Sequence, residues 1–248
     1  MSDNQTGLEG KHVFVMGGGK FGTNAVRYLK AQLAKVLVVD INPDCLAREE
    51  VDIVIDDLKV LPCMIEGRAA LYVDDAVDVL EMLLSGKAPS LVVTAIPGNA
   101  VAKLVVGWFT KRGFAVEAYG EAAAGVLENL PKSLVSFVDK KQGIIVVSYM
   151  PAGSRCRDNC LPPKGVCAST GRPKLAPMNK LLELSVYNQF DHSTILDSKQ
   201  LTGGLGAIQG KELSSLLKQL ENLDKPCTLA IGTACDCHGV INLLKISD

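Results

Sequence analysis

Six of the eight cysteines in this 248-residue chain lie after residue 150. Three of them, Cys156, Cys160 and Cys167, have the spacing C-x3-C-x6-C within a proline- and glycine-bearing segment, residues 154–180. Such a segment cannot form a regular helix or strand, and a bound metal or cluster would order it because ligation energy is also folding energy. The spacing differs from the C-x2-C of structural zinc, and an irregular cysteine loop with prolines favours an iron–sulfur cluster.

A second group of ligand-type residues, Cys235, Cys237 and His238, follows an apolar run at 228–233 that is typical of a buried strand. Three loop cysteines leave a four-ligand site one ligand short, and any of these residues could complete it. Cys227, just upstream, is either a further ligand or a small core residue. The predicted metal ligands are Cys156, Cys160, Cys167, Cys235 and Cys237. The cofactor is a [4Fe-4S] cluster, with zinc as the alternative.

The cysteine loop is also strongly basic. It holds six cations, Arg155, Arg157, Lys164, Arg172, Lys174 and Lys180, against one acid, Asp158. The net charge of the whole chain is -1, so the positive charge is concentrated in this loop. It would offset the negative charge of a thiolate-ligated centre or bind a small anionic ligand.

The glycine loop Gly17-Gly18-Gly19-Lys20-Phe21-Gly22 satisfies G-x-G-x-x-G. A β-branched run at 11–16 precedes it, and a helical pattern at 20–34 follows. In this motif the first glycine allows the tight turn, the second lets the backbone approach a pyrophosphate, and the third lets the helix pack on the strand. The free amides of the helix start face the phosphates. This context predicts a dinucleotide site rather than an empty turn.

A carboxylate, Asp40, ends the next predicted strand at 35–40. It would accept hydrogen bonds from ribose hydroxyls and repel a 2′-phosphate, and no cation follows at Ile41 or Asn42. The cofactor is therefore predicted to be NAD rather than NADP. A later predicted strand, at 90–96, ends at Ile96, and Pro97 follows it. The predicted cofactor-binding residues are Gly17, Gly19, Lys20, Phe21, Gly22, Asp40, Ile96 and Pro97.

Apolar runs and helical patterns alternate through the first 150 residues. Further strands are predicted at 52–55, 90–96, 116–119 and 144–148, and helices at 76–84 and from an Asn99 cap to about 111. Near-continuous apolar strands separated by helices predict a parallel sheet that is covered on both faces.

The segments HVFVMGGGKFGTNAVRYL (12–29) and VLVVDINPD (36–44) resemble the nucleotide-binding Rossmann domain of the Trk/RCK type, which regulates potassium uptake. They are also similar to the NAD-binding module of small dehydrogenases, including the siroheme-synthesis type. The resemblance implies a Rossmann-like doubly wound sheet over about the first 150 residues. It also implies that Gly17, Gly19, Gly22 and Asp40 bind the dinucleotide.

Composition limits the classes of protein. Hydrophobic residues make up 48% and charged residues 21%, with 26 Lys+Arg against 27 Asp+Glu. A disordered chain is excluded, and the near-balance of charge argues against a protein that coats nucleic acid or an anionic membrane. No apolar run reaches the ~18–20 residues of a spanning helix, and the first residues are polar. A cytoplasmic protein is expected.

These patterns predict two domains, a Rossmann dinucleotide-binding domain at 1–150 and a cysteine-rich metal-binding region at 151–248. The predicted function is an NAD(H)-binding redox protein with an iron–sulfur cluster, acting as a small oxidoreductase or a redox sensor. The alternative is a nucleotide-gated regulatory subunit of a Trk-type potassium transporter or larger complex, with structural zinc. A homodimer is expected because closed two-fold assemblies are the commonest. The substrate and the catalytic residues stay open.

Overall fold

A computed structural model describes residues 7–248 apart from 152, 155, 158–159, 162–164 and the side chain of Pro62. Arg155, Asp158 and Lys164 of the basic loop lie outside the described residues. The described chain is a mixed α/β protein with two mixed sheets and six α-helices. None of these helices is both long and apolar enough to cross a membrane.

The strands are β1 (His12–Met16), β2 (Lys35–Asp40), β3 (Ile53–Ile55), β4 (Ala69–Val73), β5 (Leu91–Thr94), β6 (Ala115–Ala118), β7 (Val135–Asp139), β8 (Ile144–Ser148), β9 (His192–Asp197), β10 (Lys199–Thr202), β11 (Leu205–Gln209), β12 (Cys227–Ala234) and β13 (His238–Ser247). The α-helices are α1 (Lys20–Ala31), α2 (Ala76–Ser85), α3 (Ala100–Lys111), α4 (Ala123–Glu128), α5 (Met178–Val186) and α6 (Gly210–Glu221).

The chain forms two compact units. The first unit comprises residues up to 97 together with 207–214, and the second comprises 98–206 together with 215–248. The first division therefore falls at Pro97, earlier than the boundary expected at residue 150.

The first sheet has the strand order β10-β11-β5-β1-β2-β4-β3. Its five strands from the first 97 residues pair in parallel, whereas β11 runs antiparallel to β5. The interiors of β1 and β2 are fully buried, which explains their continuous apolar sequence. The expectation of a purely parallel sheet is wrong because a late segment of the chain adds an antiparallel strand.

The second sheet has the order β7-β8-β13-β12-β9, and β6 also pairs with β13. The strands predicted at 116–119 and 144–148 exist as β6 and β8, but both pair antiparallel with β13 in this sheet. The prediction that these two strands belong to one parallel sheet with the earlier strands is therefore wrong. Both strands join the second sheet because β13, a ten-residue strand from the end of the chain, is long enough to pair with several strands.

The predicted Asn99 cap begins α3. Its side-chain oxygen accepts the Ala102 amide at 3.3 Å, while its side-chain nitrogen donates to the Ile231 carbonyl at 3.0 Å. Asn99 is buried, so both hydrogen bonds satisfy groups that water does not reach.

Asp52 links three parts of the first unit. Its carboxylate accepts the Ala69 amide at 2.7 Å and pairs with Arg68 at 2.8 Å and with Lys30 at 3.0 Å. Burial opposes ionisation of Asp52, but these donors outweigh burial and lower its pKa to about 2. The carboxylate therefore stabilises the folded state at neutral pH.

We expect Asp52→Asn to lower the free energy of unfolding by about 1 kcal/mol at pH 7, since partly exposed partners are screened by solvent. A folded-state pKa below the unfolded value means that the stabilisation is complete above about pH 4 and is lost as the pH falls towards about 2. Urea denaturation across this range measures the difference. Asp44→Asn is the matched control, because Asp44 makes no ion pair in the described part of the chain. A pH-independent difference would contradict the assignment.

Candidate functional site

Residues 149–177 connect β8 to α5 without a regular helix or strand among those described, as the prolines and glycines predict. Part of this connection is a tight turn. The Lys174 amide donates to the Gly165 carbonyl at 2.8 Å, and the Cys167 amide donates to the Arg172 carbonyl at 2.9 Å. Gly165 has a positive φ of 74° that suits glycine. The turn places Cys167 and Lys174 close together.

Tyr149 anchors the cysteine loop to the end of the β12–β13 hairpin. Its hydroxyl donates to the Ala176 carbonyl at 2.6 Å and accepts the Ala176 amide at 3.1 Å. Its backbone amide donates to the Cys237 carbonyl at 3.0 Å. Tyr149 is buried, and it joins two segments that are distant in the sequence.

The hairpin turn at 235–237 presents the second cysteine pair. The Cys235 amide donates to the His238 carbonyl at 2.9 Å and closes the turn. The Cys237 amide lies 3.4 Å from the Cys235 sulfur, and the His238 Nδ1 lies 3.9 Å from that sulfur. Cys235 is thus engaged within its own turn, while Cys237 is buried.

The charges of three other predicted ligands act on the Cys160 thiol. Burial raises the pKa of Cys160, and a hydrogen bond and charge interaction with Cys156 raise it further, followed by the charges of Cys237 and Cys167. Groups from the loop and from the hairpin therefore influence the same thiol, and their binding of one metal centre stays a prediction. Cys235 interacts electrostatically with Cys237 in the adjoining turn.

The side-chain nitrogen of the half-buried Lys174 interacts with two of these cysteines, Cys237 and Cys167. The Nζ atom of Lys174 is inaccessible to solvent and makes no hydrogen bond of regular geometry in the described structure. Burial disfavours its charge, yet contact with Cys237 and the charges of Asp236 and Cys167 outweigh burial and raise the pKa of Lys174. We treat the approach to Cys237 as an electrostatic contact, because its geometry is not that of a directed hydrogen bond. Lys174 is therefore a cation held for a negative centre.

The thiols differ in their readiness to ionise. Burial opposes ionisation of Cys167, but hydrogen bonds from Thr170 and from the Ser169 and Thr170 amides, with Lys174, lower its pKa. Burial raises the pKa of Cys237, and Lys174 only partly offsets it. Cys167 therefore ionises more readily than Cys237.

No three His, Cys, Asp or Glu side chains in the described ranges are arranged to hold a single metal ion as they stand. Cys227 is buried at the start of β12, and burial raises the pKa of its thiol. Cys63 is exposed in the first unit.

The cations of the loop have different surroundings. Arg157 and Arg172 are exposed, whereas Lys180 pairs with Glu183 at 2.7 Å. Lys174 is the described loop cation whose charge reaches the sulfurs Cys167 and Cys237. Binding of a small anion by this loop stays a prediction.

The glycines of the first unit have separate roles. Gly17 has a φ of 91°, which suits glycine, and a side chain at Gly22 would collide with the Gly17 carbonyl. A Cβ at Gly19 would meet no atom within 4 Å. Gly19 also caps α1 without a side-chain hydrogen bond, and no acidic residue occupies the first turn. The loop therefore leaves an open, electropositive helix start at Gly19.

Asp40 already participates in the glycine loop. One carboxylate oxygen accepts the Gly18 amide at 2.6 Å, and the other accepts the Asn42 amide at 2.8 Å. An ionised carboxylate has about four acceptor positions, so capacity remains for ribose hydroxyls. Asp40 both holds the loop and could bind a ligand.

The other predicted cofactor residues lie around this loop. Lys20 and Phe21 are exposed in the first turn of α1. Ile96 is half-buried, and its Cγ2 would lie 3.0 Å from a Cβ at Gly17. Pro97 is exposed after β5.

Sequence reasoning missed the importance of Gly18 and Tyr149. A side chain at Gly18 would collide with Cys45, and the Ala47 amide donates to the Gly18 carbonyl at 2.8 Å. No local pattern predicts these partners, since they lie more than 25 residues along the chain. The run of three glycines was the available signal for Gly18.

Two family models match this chain. Residues 13–95 match AF_1314_N, described as the N-terminal domain of an uncharacterized protein, and residues 101–247 match AF_1314_C, described as its C-terminal domain. A similar protein from Archaeoglobus fulgidus, named only as uncharacterized, is 33% identical over 232 residues, which cover 93% of this chain and 98% of the relative. The chain belongs to this AF_1314 family.

The resemblance to the Trk/RCK type is therefore wrong as a family assignment. The matched models are those of AF_1314, and no TrkA or Rossmann family model matches. A short glycine loop with a distant acid is shared by many α/β proteins, so the motif alone does not determine the family.

We expect Lys174→Met to raise the pKa of Cys237, because it removes the cation that favours this thiolate. Alkylation of the reduced, metal-free protein by iodoacetamide, followed by peptide mass spectrometry across a pH series, measures the shift. Lys174→Arg retains the charge and should restore most of the reactivity. Lys180→Met, which breaks only the pair with Glu183, is the control. Equal Cys237 reactivity in Lys174→Met and the parent would contradict the assignment.

Proposed function

We propose that this protein is an NAD(H)-binding redox protein whose second unit holds a cysteine-ligated iron–sulfur cluster. The observation that carries the proposal is the buried Nζ atom of Lys174 beside Cys237 and Cys167, in a loop that Tyr149 joins to the hairpin of Cys237. Burying an ammonium without a directed hydrogen bond is costly unless a negative group compensates it. A thiolate-ligated cluster, which is anionic overall, would supply that compensation.

The arrangement favours a cluster over a single zinc ion. The loop spacing C-x3-C-x6-C differs from the C-x2-C of structural zinc, and an irregular cysteine loop with prolines suits an iron–sulfur cluster.

The chain offers five cysteines for four ligand positions. Cys237 is the best fourth ligand, because it interacts with Cys160, Cys167 and Lys174. Cys235 is then left beside His238 as a free thiol. Each of the three loop cysteines remains in the proposed ligand set.

A bound iron–sulfur cluster would supply one-electron transfer. The protein's own residues would hold and tune it. Lys174 offsets negative charge at Cys237 and Cys167, and the amides of Ser169 and Thr170 favour the Cys167 thiolate. Met150, whose sulfur lies 3.9 Å from the Cys167 sulfur, shields that side from water.

NAD(H) binding is proposed for the first unit. The parallel order β5-β1-β2-β4, with a glycine loop after β1 and an acid at the end of β2, has the Rossmann-like form of dinucleotide-binding sheets. Open space at Gly19 and an acid-free first turn of α1 support a pyrophosphate there. Asp40 would accept the ribose hydroxyls.

The two cofactors set a constraint on activity. A hydride carries two electrons, whereas one cluster accepts one electron at a time. Direct exchange between NAD(H) and one cluster would leave the second electron without an acceptor, so an oxidoreductase would need a further two-electron acceptor, such as a flavin or the substrate. A redox sensor would instead respond to each site separately, with nucleotide occupancy and cluster state as its two inputs.

Anaerobic reconstitution with iron and sulfide tests the cluster. We expect a brown protein with absorbance near ~400 nm and about four irons per chain, as a cubane requires. Cys160→Ser should lose most of this absorbance, because it removes one of the proposed ligands. The control is Cys63→Ser, which changes an exposed thiol of the first unit and should reconstitute normally.

The cluster proposal would be rejected by a colourless protein containing one tightly bound zinc. It would also be rejected if Cys160→Ser and Cys63→Ser reconstituted equally well.

Gly19→Ala tests the dinucleotide site. The added methyl group meets no atom of the protein within 4 Å, so the melting temperature should stay close to that of the parent. The methyl group would stand where the pyrophosphate approaches, so we expect the affinity for NAD+ or NADH to fall at least tenfold. Isothermal titration calorimetry measures the affinity. A variant at Asp40 would be harder to interpret, because its carboxylate also accepts a hydrogen bond from the Gly18 amide and so stabilises the loop itself.

Gly86→Ala, at the end of α2, is the matched glycine control and should bind NAD normally. Unchanged affinity in Gly19→Ala, or no binding by the parent protein, would exclude the proposed dinucleotide site.

A further inference from the structure

The first unit contains a cavity of about 560 Å³ on one face of its sheet. This volume lies within the range of about 300–1,000 Å³ that is typical of small-molecule sites. The walls are mainly apolar, and they include Phe14, Leu37, Leu61, Tyr72, Met82 and Leu83. Neither the glycine loop nor any cysteine lines this cavity.

The cavity arises from the way the parallel strands are connected. A crossover between parallel strands usually contains an α-helix that covers the sheet. Here the connections from β2 to β3 and from β3 to β4 contain only the short 3₁₀ helices Leu46–Glu49 and Leu58–Cys63. The second of these 3₁₀ helices and the end of α2 line the cavity without filling it.

Two cations that make no ion pair in the described part of the chain border the apolar walls. Lys35 is half-buried, Lys87 is exposed, and neither makes an ion pair with a described residue. By contrast, Lys59 lies 3.9 Å from the Asp57 carboxylate, which also accepts the Lys59 amide at 2.9 Å. Asp56 is the remaining charged residue of the lining.

Lys35 is the register partner of His12 on the neighbouring strand, and Lys35, Lys87 and His12 all line the cavity. Burial lowers the pKa of His12, and the charges of Lys35 and then Lys87 lower it further. Both cations therefore act on the part of the lining around His12. An anionic group placed there would relieve their repulsion and accept a hydrogen bond from His12.

We infer that this cavity binds a small molecule with an apolar body and a single anionic group. The apolar part lies against Phe14, Leu37 and Leu83, and the anionic group lies between Lys35 and Lys87. This site is independent of the cysteine centre and of the dinucleotide site. It would stand even if both of those proposals failed.

Decanoate and decan-1-ol form a matched pair of probes, because they share a ten-carbon body and differ in charge. Titration of the ¹⁵N-labelled full chain, followed by amide chemical shifts, gives both the affinity and the location. We expect saturable shifts around residues 12–14, 35–37 and 82–90, with decanoate binding at least about fivefold more tightly than decan-1-ol.

Lys35→Met and Lys87→Met should each reduce the preference for decanoate while leaving decan-1-ol binding intact. Retained decan-1-ol binding shows in the same experiment that the variant is folded. Lys59→Met is the matched control, because Lys59 lines the cavity beside its own carboxylate partner, and it should keep the preference. Ala88→Phe, which adds an aromatic ring to the cavity wall, should weaken the binding of both probes.

Three results would overturn the inference. The first is the absence of saturable binding by both probes in the parent protein. The second is a set of shifts that maps outside the cavity. The third is a decanoate preference that survives in the Lys35→Met, Lys87→Met double variant.

Discussion

The arrangement of the cysteines in the second unit depends on hydrogen bonds that join Tyr149 to Cys237 and to Ala176. Its carbonyl accepts the Tyr149 amide, and the Tyr149 hydroxyl exchanges two hydrogen bonds with Ala176. A loop that is rich in proline and glycine cannot satisfy its polar groups through a ladder, so these few contacts order it. They also join the segment that carries the loop cysteines to the hairpin that carries Cys235 and Cys237. Any ligand held by both segments would strengthen the same connection.

Electrostatics in this centre follows from that packing. The thiols repel one another when ionised, and burial makes their ionisation harder, yet the Nζ atom of Lys174 is buried beside Cys237 and Cys167. Negative neighbours stabilise the charged lysine, and the charge of the lysine in turn stabilises the thiolates of Cys167 and Cys237. Such mutual dependence is unfavourable in an apolar core but suits a site that receives an anionic centre.

The first unit shows how one motif supports several interpretations. The glycine loop has the geometry that its sequence predicts, with a left-handed Gly17, a tightly packed Gly22 and an open Gly19. Yet the same loop led to a family assignment that the domain matches overturn. The loop reports local backbone requirements, which unrelated α/β proteins share. The elements after β2 differ, because 3₁₀ helices replace crossover helices and leave a cavity.

The amino-acid sequence by itself determined the local elements. β2 and β8 have the predicted bounds, α3 begins after its Asn99 cap, and the residues of the cysteine loop that the structure describes form no regular helix or strand. These features depend on residues that are near one another in the chain. The tertiary structure alone decided which strands share a sheet, that β11 reverses direction beside β5, and that Lys174 interacts with Cys237 and Cys167. Pairing and burial depend on contacts between residues far apart in the chain, and apolar periodicity does not encode which partner a strand or a cation will meet.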